Sequence, residues 1–322
     1  MTADVTSSER LGPLGYGAAS VGNLYREVSD EDAFAALDTA WESGIRYFDT
    51  APHYGLGLSE RRLGAFLAAK PRDEFVVSTK VGRVLDPNPD FAGGRDLEHG
   101  FDVPDETVRR FDPSEDGVRR SIDDSLERLG LDRIDVAFLH DPDSYDLDRG
   151  LREGLPALAR LRDEGVVGAV GIGTNSADAA ARAVAEGDLD LVMIAGRYTL
   201  LEQPALAELL PLCERRGVGV VAAAVYNSGL LSTATPGASG RYNYGTVPPE
   251  VLAHAMRLAE VCREAGVDLP IAAMQYPLRH PAVRSVVVGS ARPAEIVENA
   301  ARAHAAVPDA LWARLRDEGL IP

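Results

Sequence analysis

Residues 45–54 read Ile-Arg-Tyr-Phe-Asp-Thr-Ala-Pro-His-Tyr, an apolar strand pattern that stops at the carboxylate of Asp49 and turns at once into a loop. Two later stretches end in the same manner. Phe75-Val-Val-Ser-Thr-Lys80 closes on an ammonium, and Ile134-Asp-Val-Ala-Phe-Leu-His140 closes on an imidazole. Outward from these, strand-like runs at 14–18, 166–173, 189–195, 218–225 and 285–288 bring the expected total to eight. Amphipathic helices are expected at 30–44, 59–69, 113–130, 150–164, 177–186, 204–216, 249–265, 270–279 and 293–303. Strands alternating with helices are the mark of βαβ units and a parallel sheet. Eight such units predict an α/β (β/α)8 TIM barrel, expected here as a single domain over 1–322 with residues 1–9 as a flexible tail.

Catalysis in such barrels takes place where the C-terminal ends of the strands converge. Asp49, Lys80 and His140 all sit at that end, and Tyr54 lies just beyond the second strand. A phenol with an ordinary pKa near 10 is a poor proton carrier at neutral pH. A neighbouring Lys lowers that value, and a buried Asp holds the Lys charged and in place. His140 then hydrogen-bonds the substrate oxygen, and the set needs no metal. His53, adjacent to Tyr54, is read as pointing away and stays outside the catalytic set, with the substrate pocket its remaining place.

These four residues in this order resemble the catalytic tetrad of the aldo-keto reductases, and matches run from Leu14-Gly-Tyr-Gly17 to Glu298-Asn299. The stretch Asp-Thr-Ala-Pro-His-Tyr-Gly-Leu-Gly-Leu-Ser-Glu-Arg-Arg-Leu-Gly, 49–64, is the most specific part. It is similar to a branch acting at C1 of aldoses of the L-fucose, D-threo-aldose or galactose type, and on pyridoxal. The resemblance implies NAD or NADP and hydride transfer at a carbonyl or hemiacetal carbon.

It also implies cofactor contacts. Gly171-Ile-Gly-Thr-Asn175 is similar to the family's Gly-x-Ser-Asn segment, with Thr174 in place of Ser, so Thr174 and Asn175 would meet the nicotinamide carboxamide. Arg197 opens the segment after strand six, where the family carries Asn or Gln. Aligning Ser228-Gly229-Leu230-Leu231 with the family's Gly-Leu-Leu puts Ala223 at the position of the nicotinamide-stacking aromatic. Either Tyr226 supplies the ring or stacking is missing. Gly17, Asn227, Gly229, Leu230 and the run Gly289, Ser290, Arg292, Glu295 join the expected cofactor set, with Glu298 and Asn299 at the adenine edge. NADP-dependent relatives have Lys and Arg at the positions of Gly289 and Glu295. An acid there repels a 2′-phosphate, which favours NAD. Arg83, Tyr145, Arg197 and Asn227 are the candidates for binding sugar hydroxyls.

Other readings are narrower. Neither Gly15-Tyr-Gly17 nor Gly171-Ile-Gly173 completes a Gly-x-Gly-x-x-Gly dinucleotide fingerprint, and no Tyr-x-x-x-Lys pair is present. The alternatives to sugar oxidation are reduction of aldehydes or ketones, including pyridoxal-like ones, and a non-enzymatic cofactor-sensing barrel subunit. A net charge of −17 opposes nucleic-acid or anionic-membrane partners and leaves a neutral small molecule. The polar start lacks a signal-peptide pattern, and two cysteines, Cys213 and Cys262, inside helical patterns suggest free thiols in a reducing cytoplasm. The long stretches 81–112 and 228–247 are expected to be structureless lids over the active face.

Overall fold

A computed structural model describes residues 5–243 and 245–322. Strands β1 (Leu14–Gly17), β2 (Tyr47–Asp49) and β3 (Val76–Val81) come first. Next are β4 (Arg83–Pro87), β5 (Thr107–Phe111), β6 (Ile134–His140), β7 (Val167–Thr174), β8 (Leu191–Ala195) and β9 (Gly219–Ala223). The short β10 (Arg241–Tyr242) and β11 (Gly245–Thr246) precede β12 (Val283–Val288). Eight of these close a parallel barrel in the order β1-β12-β9-β8-β7-β6-β3-β2. The fold is the (β/α)8 barrel.

Side chains alternate across a strand, so residues two apart share a face. Tyr47, Val76, Val136, Phe138, Ala169, Leu191, Met193, Val221 and Val287 fill the barrel's interior. The intervening Phe48, Val77, Ala137, Leu139, Val170, Ile172 and Val220 face the helices and form a second, larger core. At roughly 25 cal/mol per Å² of apolar area removed from water, burial on both faces of the sheet is what drives closure. Register then sets the height of the site: Asp49 pairs with Gly17 and Ser78, Lys80 with Phe138, and His140 with Gly173.

Several expectations need correction. The segment 81–112 is not structureless, because β4 and β5 pair along five positions into an antiparallel ribbon. Most of its glycines and prolines, Pro89, Gly93, Gly94, Gly100 and Pro104, lie in the connection between those strands, while Gly82 precedes β4 and Pro87 ends it. Within 228–247, Arg241 pairs with Thr246 and Tyr242 with Gly245. Ser114, rather than Pro113, starts the helix Glu115–Leu129, its hydroxyl accepting from the Gly117 amide at 3.2 Å. The helix expected at 150–164 opens with a π-turn, Gly150–Gly154, and becomes α-helical at Leu155.

The expected flexible tail is a tail only in name over its second half. Ser8–Leu11 form a helical turn capped by Ser7, and Leu11 packs into the floor of the barrel. Residues 1–4 lie outside the described residues. A final helix, Asp309–Asp317, was not anticipated from the sequence; it buries Leu311, Trp312 and Leu315. Among the described residues, no helix is long and apolar enough to cross a membrane.

Candidate active site

The uppermost layer of the barrel interior is polar where the layers beneath are apolar. Asp49, Lys80, His140, Gly173, Ala195 and Ala223 stand at the strand ends and line a cavity of about 580 Å³. Lys80 Nζ donates to Asp49 Oδ2 at 2.7 Å and to the Thr50 carbonyl at 2.9 Å. Ser78 Oγ donates to the other Asp49 oxygen at 2.7 Å, so both carboxylate oxygens are satisfied. Both side chains of the pair are almost wholly buried. A charge pair this deep is tolerated only when its remaining lone pairs and protons are also partnered.

Tyr54 reaches this layer from the turn after β2. Gly55 makes that turn possible: its φ is +61° and a side chain there would meet the Gly22 carbonyl at 2.2 Å. Lys80 Nζ lies 4.5 Å from the centre of the Tyr54 ring, and the His140 ring stands 5.9 Å from it, edge-on at 88°. Burial pushes the Tyr54 phenol up to about 12, while the charge and hydrogen bond of Lys80 pull in the opposite direction. The expected lowering by Lys80 is thus real but outweighed by desolvation. Burial also opposes the Lys80 charge, yet Asp49 and Tyr54 together hold it above its ordinary value. His140 is driven well below the imidazole range, by burial first and then by the cations of Arg83 and Lys80. The site therefore presents a protonated phenol, a cation and a neutral imidazole.

The 49–64 stretch is also a set of structural clamps. Ser59 Oγ donates to the Ala18 carbonyl at 2.8 Å. Glu60, fully buried, accepts from Thr79 Oγ1 at 2.7 Å and from Arg128 Nε at 2.6 Å. Arg62 donates to Asn23 Oδ1 and to the carbonyls of Val21 and Val28, each at 2.8 Å, which fixes the 21–28 loop beside the cavity.

Of the expected cofactor residues, Gly17, Thr174, Asn175 and Gly289 line the same cavity as the tetrad. Thr174 Oγ1 is committed to Asp143 at 2.6 Å, which leaves the exposed Asn175 as the amide free to face a ligand. Arg197 lies behind Asn175, donating to its carbonyl at 2.8 Å and pairing with Glu202 at 3.1 Å. The position aligned with the stacking aromatic is Ala223, on the cavity wall. Tyr226 does not replace it, since its hydroxyl turns away to Asn299 Oδ1 at 2.9 Å. Asn227 donates to Glu202 at 3.0 Å, and Leu230 is core. Gly229 takes a left-handed φ of +94° in the turn beyond. Further out, Ser290 Oγ donates to Glu295 at 2.5 Å, Arg292 pairs with Glu295, and Glu298 pairs with Arg302 at 2.8 Å.

The four candidates for sugar hydroxyls do not line the cavity. Arg83 is held by Asp141 at 2.6 Å, and Tyr145 stacks on Phe111 at 4.8 Å and 3°. Arg197 and Asn227 are both spent on Glu202. Besides Tyr54 and Asn175, the polar side chains that line it from the loops are Ser20, Tyr25, His53, Glu98, His99 and Asp141. His53 is thus a wall residue, as its place beside Tyr54 allowed. Glu98 and His99 lie in a stretch without strand or helix pattern, so the sequence carried no signal for them. Among the described residues, no cluster of His, Cys, Asp or Glu has the form of a metal site.

Barrel, tetrad geometry and chain length converge on one class, and comparison with known proteins agrees. The chain belongs to the aldo/keto reductase family, whose pattern it matches over residues 13–317. It is similar to D-threo-aldose 1-dehydrogenase of a Pseudomonas species, 57% identical over 96% of this chain and 94% of that one. Pyridoxal 4-dehydrogenase of Microbacterium luteolum is 41% identical over the same shares. Among solved structures, an aldo-keto reductase from Bacillus halodurans in its holo form superposes with a TM-score of 0.74 at 26% identity, covering 96% of this chain and 92% of that one. The protein is an oxidoreductase of this family that works with a nicotinamide cofactor.

Proposed function

We propose that the protein oxidises an aldose at C1, with Tyr54 carrying the proton and NAD as the preferred coenzyme. The observation that carries this reading is the buried Lys80–Asp49 pair set against the Tyr54 ring, with neutral His140 on its other side. Tyr54 Oη takes the proton of the C1 hydroxyl in oxidation and returns it to a carbonyl oxygen in reduction. Lys80 stabilises the phenolate while it exists, and Asp49 with the Thr50 carbonyl keeps that ammonium in position. His140, neutral, holds the reacting oxygen by a hydrogen bond, which orients the carbon without adding charge. A nicotinamide, when bound, exchanges the hydride with that carbon.

The choice of a sugar rests on similarity to D-threo-aldose 1-dehydrogenase and on the polar loop wall. The choice of NAD rests on Glu295, whose carboxylate is engaged by Ser290 and pairs with Arg292, setting an acid where a 2′-phosphate needs a cation. Cys213 and Cys262 are free, buried thiols pushed up to about 12 by burial, which suits a reducing cytoplasm. The test is a panel of aldoses offered with NAD⁺ and NADP⁺, following absorbance of the reduced nicotinamide. Oxidation of at least one aldose, faster with NAD⁺, is expected. Reduction of apolar aldehydes alone, with every sugar inert, would overturn the substrate class.

A further inference from the structure

Three imidazoles run in a row along one side of the cavity. His53 lies 5.5 Å from His140 and 5.9 Å from His99, each contact edge-on at 81°. Phe101 backs His53 at 5.3 Å and 86°. Only the first of the three, His140, has a part in the proton chemistry. The other two lead away from the reacting end toward the mouth.

The row is held by buried charge rather than by loop packing alone. Arg109, on β5, grips both oxygens of Asp96, at 2.7 and 2.5 Å, and donates to the His53 carbonyl at 2.9 Å. Both members of that pair are about 5% exposed. Asp96 Oδ1 lies 3.1 Å from His99 Nδ1, so Nδ1 carries a proton toward Asp96 and Nε2 is the ring atom left for a ligand. Nδ1 of His53 is sealed within the wall and has no hydrogen-bond partner among the described residues. Its Nε2 is then the ring atom available to a ligand. Burial, with Arg83 and Arg109, drives the His53 imidazolium far below its ordinary range, so this ring too is uncharged.

A row of imidazoles offers hydrogen-bond donors and acceptors side by side. That is the chemistry of a hydroxyl group, itself both donor and acceptor. Leu24 and Phe101 stand beside these rings and supply apolar surface for the C–H face of a polyol. We propose that His53 and His99 read hydroxyl groups on the carbons next to the reacting one, and so set the preference for polyhydroxylated substrates. This rests on the reading of Tyr54 and His140 as the reacting end of the cavity. Neither ring moves a proton in the reaction; they are specificity determinants.

The test compares two three-carbon aldehydes, glyceraldehyde and propanal, reduced by the purified enzyme with NADH or NADPH. The quantity read is the ratio of their kcat/KM values. The parent should favour glyceraldehyde, and His53→Leu and His99→Leu should each cut that ratio by roughly tenfold, the worth of one hydrogen bond, mainly through KM for glyceraldehyde. His53→Gln and His99→Gln, which keep a polar tip, should restore part of it, and thermal melts identify any variant that fails to fold. A parent without preference, or folded Leu variants that keep the parent's ratio, would overturn the proposal. A folded parent that reduces neither aldehyde would instead overturn the reading of the reacting end, and the proposal with it.

Discussion

Arg83 and Asp141 meet at 2.6 Å, and the same carboxylate oxygen lies 3.4 Å from Nε2 of His140. Burial raises the Asp141 carboxyl, and Arg83 opposes that rise. Arg83 is also the largest charge among those that keep His140 and His53 neutral. An arginine expected to touch substrate thus acts one layer back.

Replacing Arg83 by Met should let both imidazoles protonate more readily. The acid limb of the pH profile of kcat/KM should then move to higher pH, because protonated His140 no longer accepts or donates as the neutral ring does. The unpaired Asp141 should also cost about 3–5 kcal/mol of stability, read from urea unfolding. An acid limb that stays in place would show that Arg83 does not govern His140.

Tyr54→Phe should keep the fold and lower turnover by roughly 10²–10⁴-fold, the usual worth of a general acid–base group. Lys80→Met should be comparably damaging for a different reason. It removes the charge and hydrogen bond that hold the burial-raised phenol down to about 12, so the phenol rises further. The activity left in Lys80→Met should therefore rise with pH over a range where the parent's is flat. Parent-like pH dependence in this variant would refute the coupling between the two residues.

Acid should unfold the protein earlier than its carboxylates alone dictate. His53 and His140 have folded pKa values depressed below the unfolded value of ~6.5. Their stabilisation is fully present above that value and is lost as pH falls below it, each approaching ~1.4 kcal/mol per pH unit. Asp141, raised in the folded state, shifts the balance the other way at lower pH. Urea midpoints at pH 7.5 and 5.5 should differ clearly in the parent and less in His53→Gln; equal midpoints in the parent would contradict the burial of two neutral imidazoles.

Glu295→Arg should move coenzyme preference toward NADP. It frees Ser290 and Arg292 from the carboxylate and adds a bidentate phosphate donor. The ratio of kcat/KM for NADP over NAD should rise by at least tenfold. A ratio that does not change would mean that neither residue meets the ribose.

What the sequence made legible follows a physical division. The meeting of Asp49, Lys80 and His140 could be read because strand periodicity and a fixed end-of-strand position place them without knowledge of any loop. The β4–β5 ribbon was hidden because its strands are short and separated by 19 residues, 88–106, rich in turn formers. His99 and Glu98 could not be found because a 3-10 turn leaves no period in the sequence. Arg197 and Asn227 are engaged by Glu202 instead, because a polar residue after a strand is equally able to pair with a neighbour. Helix Asp309–Asp317 stands outside the eight barrel units, which are complete by residue 303, so barrel periodicity carries no signal for it.

Arg109 reaches from a ribbon outside the barrel to the backbone of His53 and the side chain that steers His99. On the roles proposed, the groups that move the proton stand on the barrel strands and the turn after β2, and His53 shares that turn, while His99 hangs from a separate mount. If His99 reads the substrate as proposed, changes at 97–101 redraw the substrate range without disturbing Lys80 or Asp49. A lineage with this division can try new substrates while its chemistry stays intact, and an engineer can do the same by rewriting five positions.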